Sequence, residues 1–255
     1  MEIILYYLIL IIILLVFYNN VSVDFKVDTS YLLLNKISET NLKQIPKKLF
    51  QTYHKSYIPN YITDLKNQYA GDYEYYLLND SDGYNFIKNN FNVVVLKRYS
   101  SLSGAHKADL LRYCLLYIYG GVYLDIKTVF TKNLNEIIDH SESEKHKFYS
   151  AKSIWESTLY QGFLASTPRN PLFLVLIHKI LKTNNIILFF LYHIFTIHIY
   201  KAVEHYKKEQ NIILYKEKCV KNVDKSLLDR YGRYCYLLDD DNNNIMDVRD
   251  PKYPW

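Results

Sequence analysis

The chain opens with an unbroken apolar block. From Ile3 to Tyr18 every residue is apolar or tyrosyl, with no polar face of the kind a surface helix carries. Asp24 to Gln44 then mixes polar and apolar positions without a clear period. Beyond Pro46, short apolar runs alternate with amphipathic stretches. Lys48–Tyr53 reads as a first strand, Tyr61–Tyr69 as a helix stopped at Gly71, and Tyr73–Leu78 as a second strand. Asn79-Asp80-Ser81-Asp82-Gly83 has turn composition and precedes a helical Tyr84–Asn90. The β-branched run within Asn92–Lys97 predicts a third strand. Gly104–Tyr119 predicts a helix that stops at Gly120-Gly121, and Val122–Leu124 a short strand after it. Strands alternating with helices predict an α/β fold on a largely parallel sheet with right-handed crossovers. Further on, Leu172–Leu181 and Ile186–Tyr200 are strongly apolar. The second run falls short of the about 20 residues of a membrane span and is expected to be a core helix or a membrane-surface helix.

Candidate chemistry concentrates where the helix meets the strand. Asp109 and Arg112 are i,i+3 partners on an otherwise apolar helix, so they share one face. Val122–Leu124 delivers Asp125 to a strand C-terminus, where open α/β sheets place ligand chemistry. A guanidinium between two carboxylates suits a polyhydroxylated, phosphate-bearing substrate. Carboxylates accept from sugar hydroxyls, and Arg donates in a fork to anionic oxygens.

Composition narrows the choice. Two hundred and fifty-five residues accommodate one α/β domain plus an anchor. The formal charge of +5 is spread along the chain rather than packed into one basic face, so no nucleic-acid partner is expected. The 27 tyrosines read as a coding-composition bias. Of the three cysteines, Cys114 falls in the apolar helix as a core thiol. Cys219 and Cys235 pair only if the fold brings them together. His193 and His198 are five apart and do not form an i,i+4 metal pair. Asp239–Asn244 reads as a solvated turn between strands. The leading apolar block lacks a basic start and a small-residue cleavage site, so it reads as an uncleaved single-pass anchor rather than a signal peptide.

Taken together, Asp109-x-x-Arg112 and Tyr119-Gly120-Gly121-Val122-Tyr123-x-Asp125 resemble the DXD-motif glycosyltransferases of family 32, which include initiating mannosyltransferases and inositol-phosphoceramide mannosyltransferases. Their core reads roughly Ser-Asp-x-x-Arg, then Tyr-Gly-Gly-Ile-Tyr-x-Asp-x-Asp. The resemblance extends upstream to Ile45–Tyr53 and downstream through Gln161–Ser166 to Pro168 and Pro171. It implies a GT-A nucleotide-sugar-binding fold at 46–255, behind an anchor at 1–22 and a stem at 23–45, with the catalytic domain on the lumenal side of a secretory membrane. It also implies a hexosyltransferase that retains anomeric configuration, taking a nucleotide diphosphate sugar donor and a glycan or glycolipid acceptor. Gln51, Thr52 and Tyr53 would flank the nucleotide, Asp109 and Arg112 would hold the transferred sugar, and Asp125 would contact donor hydroxyls or a metal.

Two departures stand out. Family resemblance would put a Thr-Gly-Pro-like loop near Phe195-Thr196-Ile197, and it is missing. Lys127 stands where the motif has its second Asp. That pair of carboxylates normally helps to hold Mn²⁺ or Mg²⁺, and hard cations need oxygen ligands. Three readings stay open: Lys127 replaces the metal as the positive charge beside the leaving diphosphate; Asp125 still binds a metal with help from elsewhere; or the domain binds without turnover, as a silent nucleotide-sugar or carbohydrate scaffold.

Overall fold

The computed structural model describes residues 21–34, 43–53, 58, 60–221, 223 and 232–248. The expected anchor at 1–22 lies almost wholly outside the described residues. Among those residues no helix is long and apolar enough to cross a membrane. In chain order the elements are β1 (Lys48–Thr52), α1 (Asn60–Ala70), β2 (Glu74–Leu78), α2 (Asp80–Asn90), α3 (Val93–Ser101), α4 (Gly104–Tyr119), β3 (Gly121–Leu124), β4 (Val129–Phe130) and α5 (Leu134–Ile137). There follow β5 (Lys147–Lys152), β6 (Leu159–Ser166), α6 (Pro171–Lys182), α7 (Asn185–Phe190), α8 (Ile194–Tyr206), β7 (Asn211–Val220), β8 (Tyr234–Leu238) and β9 (Asn244–Asp247).

The strands join in one sheet ordered β2-β1-β3-β6-β5-β7-β8-β9-β4. Strand alternation sends neighbouring side chains to opposite faces. Phe50, Tyr123, Phe148 and Leu164 pack with α2, α3, α4, α6, α7 and α8. Leu49, Val122, Tyr149 and Ala165 pack on the other face with Leu134, Ile137, Leu237 and Met246. The sheet cannot be flat. β3 and β4 are joined only by Asp125–Thr128, which reaches less than about 20 Å when extended. Six strand spacings of about 4.8 Å separate them in the sheet order. The sheet therefore curls until its far edge, β8-β9-β4, lies beside β3 on the Leu49 face.

Four expectations are corrected. The sheet is mixed rather than largely parallel: β1 pairs in parallel with β2 and β3, and β5 with β7, while β6 runs antiparallel to β3 and β5. The cause is the short turn after Lys152, because a short connection can join only antiparallel neighbours. Asn92–Lys97 is not a strand but the start of α3. The Asn92 side chain caps it by accepting from Val94 N at 3.4 Å, and Val95 and Tyr99, one turn apart, are both buried. Tertiary packing overrides the strand propensity of the valines. Asn79–Gly83 is not a free turn. Asn79 accepts from Ser81 N and Asp82 N in a capping box that starts α2, which satisfies donors a helix start leaves bare. Finally, Ile186–Tyr200 is split, with α7 ending at Phe190 and α8 starting at Ile194.

Cys219 and Cys235 face each other across β7 and β8 and are joined by a disulfide. Cys114 is a buried free thiol. Asp239–Asn244 closes the β8–β9 turn: Asp239 accepts from Asn243 N at 2.7 Å and pairs with Lys132 at 3.1 Å.

Candidate active site

The helix–strand joint sets the height of every charged group in the site. α4 ends at Gly120 and β3 runs back beside it, which demands backbone that side chains would obstruct. Gly120 and Gly121 have φ of +63° and +92°. A Cβ on Gly120 would sit 2.6 Å from Pro168 N, and one on Gly121 2.6 Å from Lys48 O. Both positions exclude any residue but glycine. From that joint Asp125 lies about 16 Å up the strand, while Arg112 and Asp109 lie about 12 and 16 Å up the helix. The three groups therefore arrive level at the C-terminal edge of β1 and β3.

Arg112 is the hub. Its Nη2 lies 3.2 Å from Asp109 Oδ1 and 3.7 Å from Asp125 Oδ1. Its Nη1 donates to the Gln161 carbonyl at 2.6 Å, its Nε to Ala108 O at 3.3 Å, and its guanidinium covers the Tyr123 ring at 4.5 Å. Gln161 is fixed in turn, because its side-chain oxygen accepts from the buried Tyr113 hydroxyl. Burial raises the Asp109 carboxyl above its ordinary value, with Arg112 and His106 pulling the other way. Burial opposes charge on Arg112, but Tyr123, Asp109 and Asp125 outweigh it and hold the guanidinium protonated. The Tyr123 and Tyr160 hydroxyls are pushed up by burial, with Asp125 adding to both, so both act as neutral hydrogen-bonding groups at neutral pH.

Asp125 is seated by backbone. Its N–H donates to Gly162 O at 2.8 Å, and its carbonyl accepts from Thr128 N at 2.9 Å, closing a turn over Ile126 and Lys127. The turn brings Lys127 Nζ back to 3.7 Å from Asp125 Oδ2. Asp125 thus stands between two cations, with Asp109 facing the same arginine. Among the described residues, two carboxylates facing Arg112, with Lys127 beside one of them, do not make the cluster of oxygen ligands that a divalent metal needs. Among the described residues, only Glu217, Cys219 and Cys235 bring three metal-capable groups together. They lie on β7 and β8, and two of them are tied up in the disulfide.

The first-strand residues divide. Gln51 is buried, accepting from Tyr75 Oη at 2.9 Å and reaching Asp125 O at 3.4 Å, so it braces the Asp125 backbone from within. Thr52 Oγ1 lies 2.9 Å from Tyr123 Oη, which reaches Asp125 Oδ1 at 3.4 Å. Tyr53 is half-buried at the strand end, its N–H on Leu78 O at 3.0 Å. Sequence reasoning missed the positioning parts of Gln161, Tyr123 and Gly162. A Cβ on Gly162 would collide with the Tyr160 hydroxyl and stand 2.9 Å from Asp125 Oδ2. The Gln-Gly pair in an apolar strand was the available signal.

Residues 53–144 match the family described as glycosyltransferase sugar-binding region containing DXD motif. An uncharacterized glycosyltransferase of Acanthamoeba polyphaga mimivirus is 37% identical over 90 residues, 35% of this chain and 35% of that protein. Inositol phosphoceramide mannosyltransferase 3 of Schizosaccharomyces pombe is 29% identical over 129 residues, 49% of this chain and 36% of that protein. The initiation-specific alpha-1,6-mannosyltransferase of Saccharomyces cerevisiae is 33% identical over 89 residues, 34% of this chain but only 17% of that protein. The matches thus span about a third or less of the relatives' own lengths. Residues 53–144, which contain Asp109, Arg112 and Asp125, are similar to the sugar-binding region of the DXD-motif glycosyltransferases.

Proposed function

We propose that the chain is a GT-A-type hexosyltransferase, moving a hexose from a nucleotide diphosphate sugar to a hydroxyl of a glycan or glycolipid with retention of configuration. Mannose, the sugar in the names of two relatives, is the first donor to try. A secretory lumen is the expected compartment, with residues 1–22 as the anchor. The observation that carries the reading is the Asp125 carboxylate flanked at 3.7 Å by both Arg112 and Lys127 at the strand edge. Asp125 accepts donor hydroxyls, and the two cations present fixed positive charge where a diphosphate gathers negative charge on leaving. The bond from the anomeric carbon to the phosphate oxygen breaks and the acceptor oxygen bonds to that carbon on the same face. The acceptor proton passes to the departing phosphate oxygen. In this reading Lys127 does the work of the missing motif carboxylate and its metal.

The test is turnover of a panel of nucleotide sugars by the full chain, in EDTA and in added Mn²⁺. Wild type is expected to turn over in EDTA. Lys127→Ala should lose a charge-assisted contact of about 1.5–3 kcal/mol, roughly 10- to 150-fold in rate, with partial rescue by Mn²⁺. Lys127→Asp should become Mn²⁺-dependent. Complete loss of wild-type activity in EDTA, with Lys127→Ala behaving as wild type, refutes the substitution. Tight donor binding with no hydrolysis or transfer for any sugar refutes the enzyme reading in favour of a binding scaffold.

A further inference from the structure

α7 and the turn after it expose apolar side chains that the fold does not use. Phe189 is 83% exposed, Phe190 74%, Ile186 65% and Tyr192 54%. The opposite side of the same short helix is tied down. Leu188 is buried, Ile187 and Leu191 pack against the helical core, and Asn184 caps the start by accepting from Ile186 N at 2.9 Å. The exposed rings are thus held outward by a fixed backbone. Contiguous exposed aromatic and aliphatic residues mark a contact surface.

Charge says what covers it. Between Glu156 and Glu204 the chain has no Asp or Glu. Lys182 is exposed just before α7, and Lys97 is exposed on neighbouring α3. Arg98, next to Lys97, reaches Asn185 Oδ1 at 2.6 Å. Apolar rings beside basic groups, in a stretch of chain without acidic residues, fit the boundary between acyl chains and anionic headgroups. The leading sequence joins the same helical layer: Val21 and Phe25 pack against it, Phe25 on His205 at the far end of α8, after the apolar Ile3–Tyr18 run. The patch also touches the site's helix. His106 donates from Nε2 to Tyr192 O at 2.9 Å, with the two rings 4.9 Å apart, and it lies one turn before Asp109 on α4.

We propose that Ile186, Phe189, Phe190 and Tyr192 form a bilayer-contact element that seats the α4 end of the site on an anionic membrane surface. The consequence that the acceptor is met at that surface rests on the hexosyl-transfer reading, whereas the lipid contact does not. The test uses the full chain reconstituted in phosphatidylcholine–phosphatidylserine vesicles, with Phe190→Cys carrying an environment-sensitive fluorophore. Cys114 is buried and Cys219–Cys235 is bonded, so the new thiol is labelled selectively. Asp241→Cys in the β8–β9 turn is the control. Acyl-chain nitroxide lipids should quench the label at 190, with greatest effect about 5–10 Å below the headgroups, and leave the label at 241 bright. Ile186→Cys, read in the same way, covers a folding failure at 190. Equal, weak quenching at 186, 190 and 241 overturns the proposal. So does a blue-shifted label that nitroxide lipids do not quench, because the patch is then covered by protein, either the leading segment or a second copy.

Discussion

Replacing Arg112 by lysine keeps one positive charge and removes the fork, so it asks whether geometry or charge holds the site. The guanidinium makes a 2.6 Å bond to Gln161 O, a 3.3 Å bond to Ala108 O and a 3.2 Å contact with Asp109. An ammonium on a flexible stem can keep the Asp109 contact, but it cannot also span to Gln161 O. Leaving that carbonyl unpaired costs about 1–3 kcal/mol, and a charge-assisted bond adds about 1.5–3. Relaxation and partial overlap of the two terms bring the expected loss to roughly 2–4 kcal/mol of stability. At about 2–4 °C per kcal/mol for a chain of this size, the melting temperature should fall by roughly 5–15 °C. Circular dichroism melts give that number, and titration with a nucleotide sugar gives the second readout. Donor affinity should fall as well, because Asp125 loses the partner that orients it. A melting temperature within about 2 °C of wild type, with donor affinity unchanged, would show that charge alone suffices and that the fork is incidental.

Other substitutions separate brace from chemistry. Gly162→Ala should cost about 1–3 kcal/mol by overpacking and weaken donor binding, because its Cβ would displace the Tyr160 hydroxyl and the Asp125 carboxylate; a melt plus a donor titration checks both. Gln161→Leu strands the buried Tyr113 hydroxyl and should destabilise by about 1–3 kcal/mol, measured by urea unfolding, with the Arg112 bond to the backbone carbonyl retained. Asp139 is held near 2 chiefly by the hydrogen bond from Lys147. Its folded value lies below the unfolded one of about 3.9, so its contribution is complete above about pH 4 and disappears as pH falls through 2. Thermal unfolding of Asp139→Asn should therefore differ from wild type at pH 6, by about 1 kcal/mol for a half-solvated pair, and converge with it near pH 2.

Much of the scaffold is readable where local signals and tertiary demands agree. Gly104–Tyr119 is the predicted helix end to end, because its apolar run and its Gly-Gly stop leave no competing state. The first two strands and Val122–Leu124 also lie where their patterns put them. Asn92–Lys97 fails for a nonlocal reason. Val95 and Tyr99 face the core only on a helix, and Arg98 is held there by carbonyls at the end of α6, Ile180 O and Thr183 O. The parallel sheet fails twice over: the short turn after Lys152 makes β5 and β6 antiparallel, and β6 then pairs with β3 from across the chain, a register no window of sequence displays. For the site, spacing was enough to bring Asp109, Arg112 and Asp125 together. It could not show that Gln51 is buried as a brace, nor that Gln161 offers its carbonyl to Arg112, since both depend on which strands are neighbours.

The four residues Asp125–Thr128 join strands that stand at the third and ninth places of one curled sheet. Mechanically they are a strap between two bodies. Asp125 is fastened at one end through Gly162. At the other, β4 pairs with β9 and β9 with β8, Phe130 stacks on Tyr69 of α1, Lys132 pairs with Asp239, and the disulfide joins β8 to β7 beside their ladder. Lys127 rides on the strap, whereas Arg112 is bolted to α4 and β6. A reductant that opens Cys219–Cys235 removes one tie on the lysine's side of the site, with the β7–β8 ladder left in place, and none on the arginine's side. The two cations around one carboxylate would then part company in their sensitivity to the redox state of the compartment.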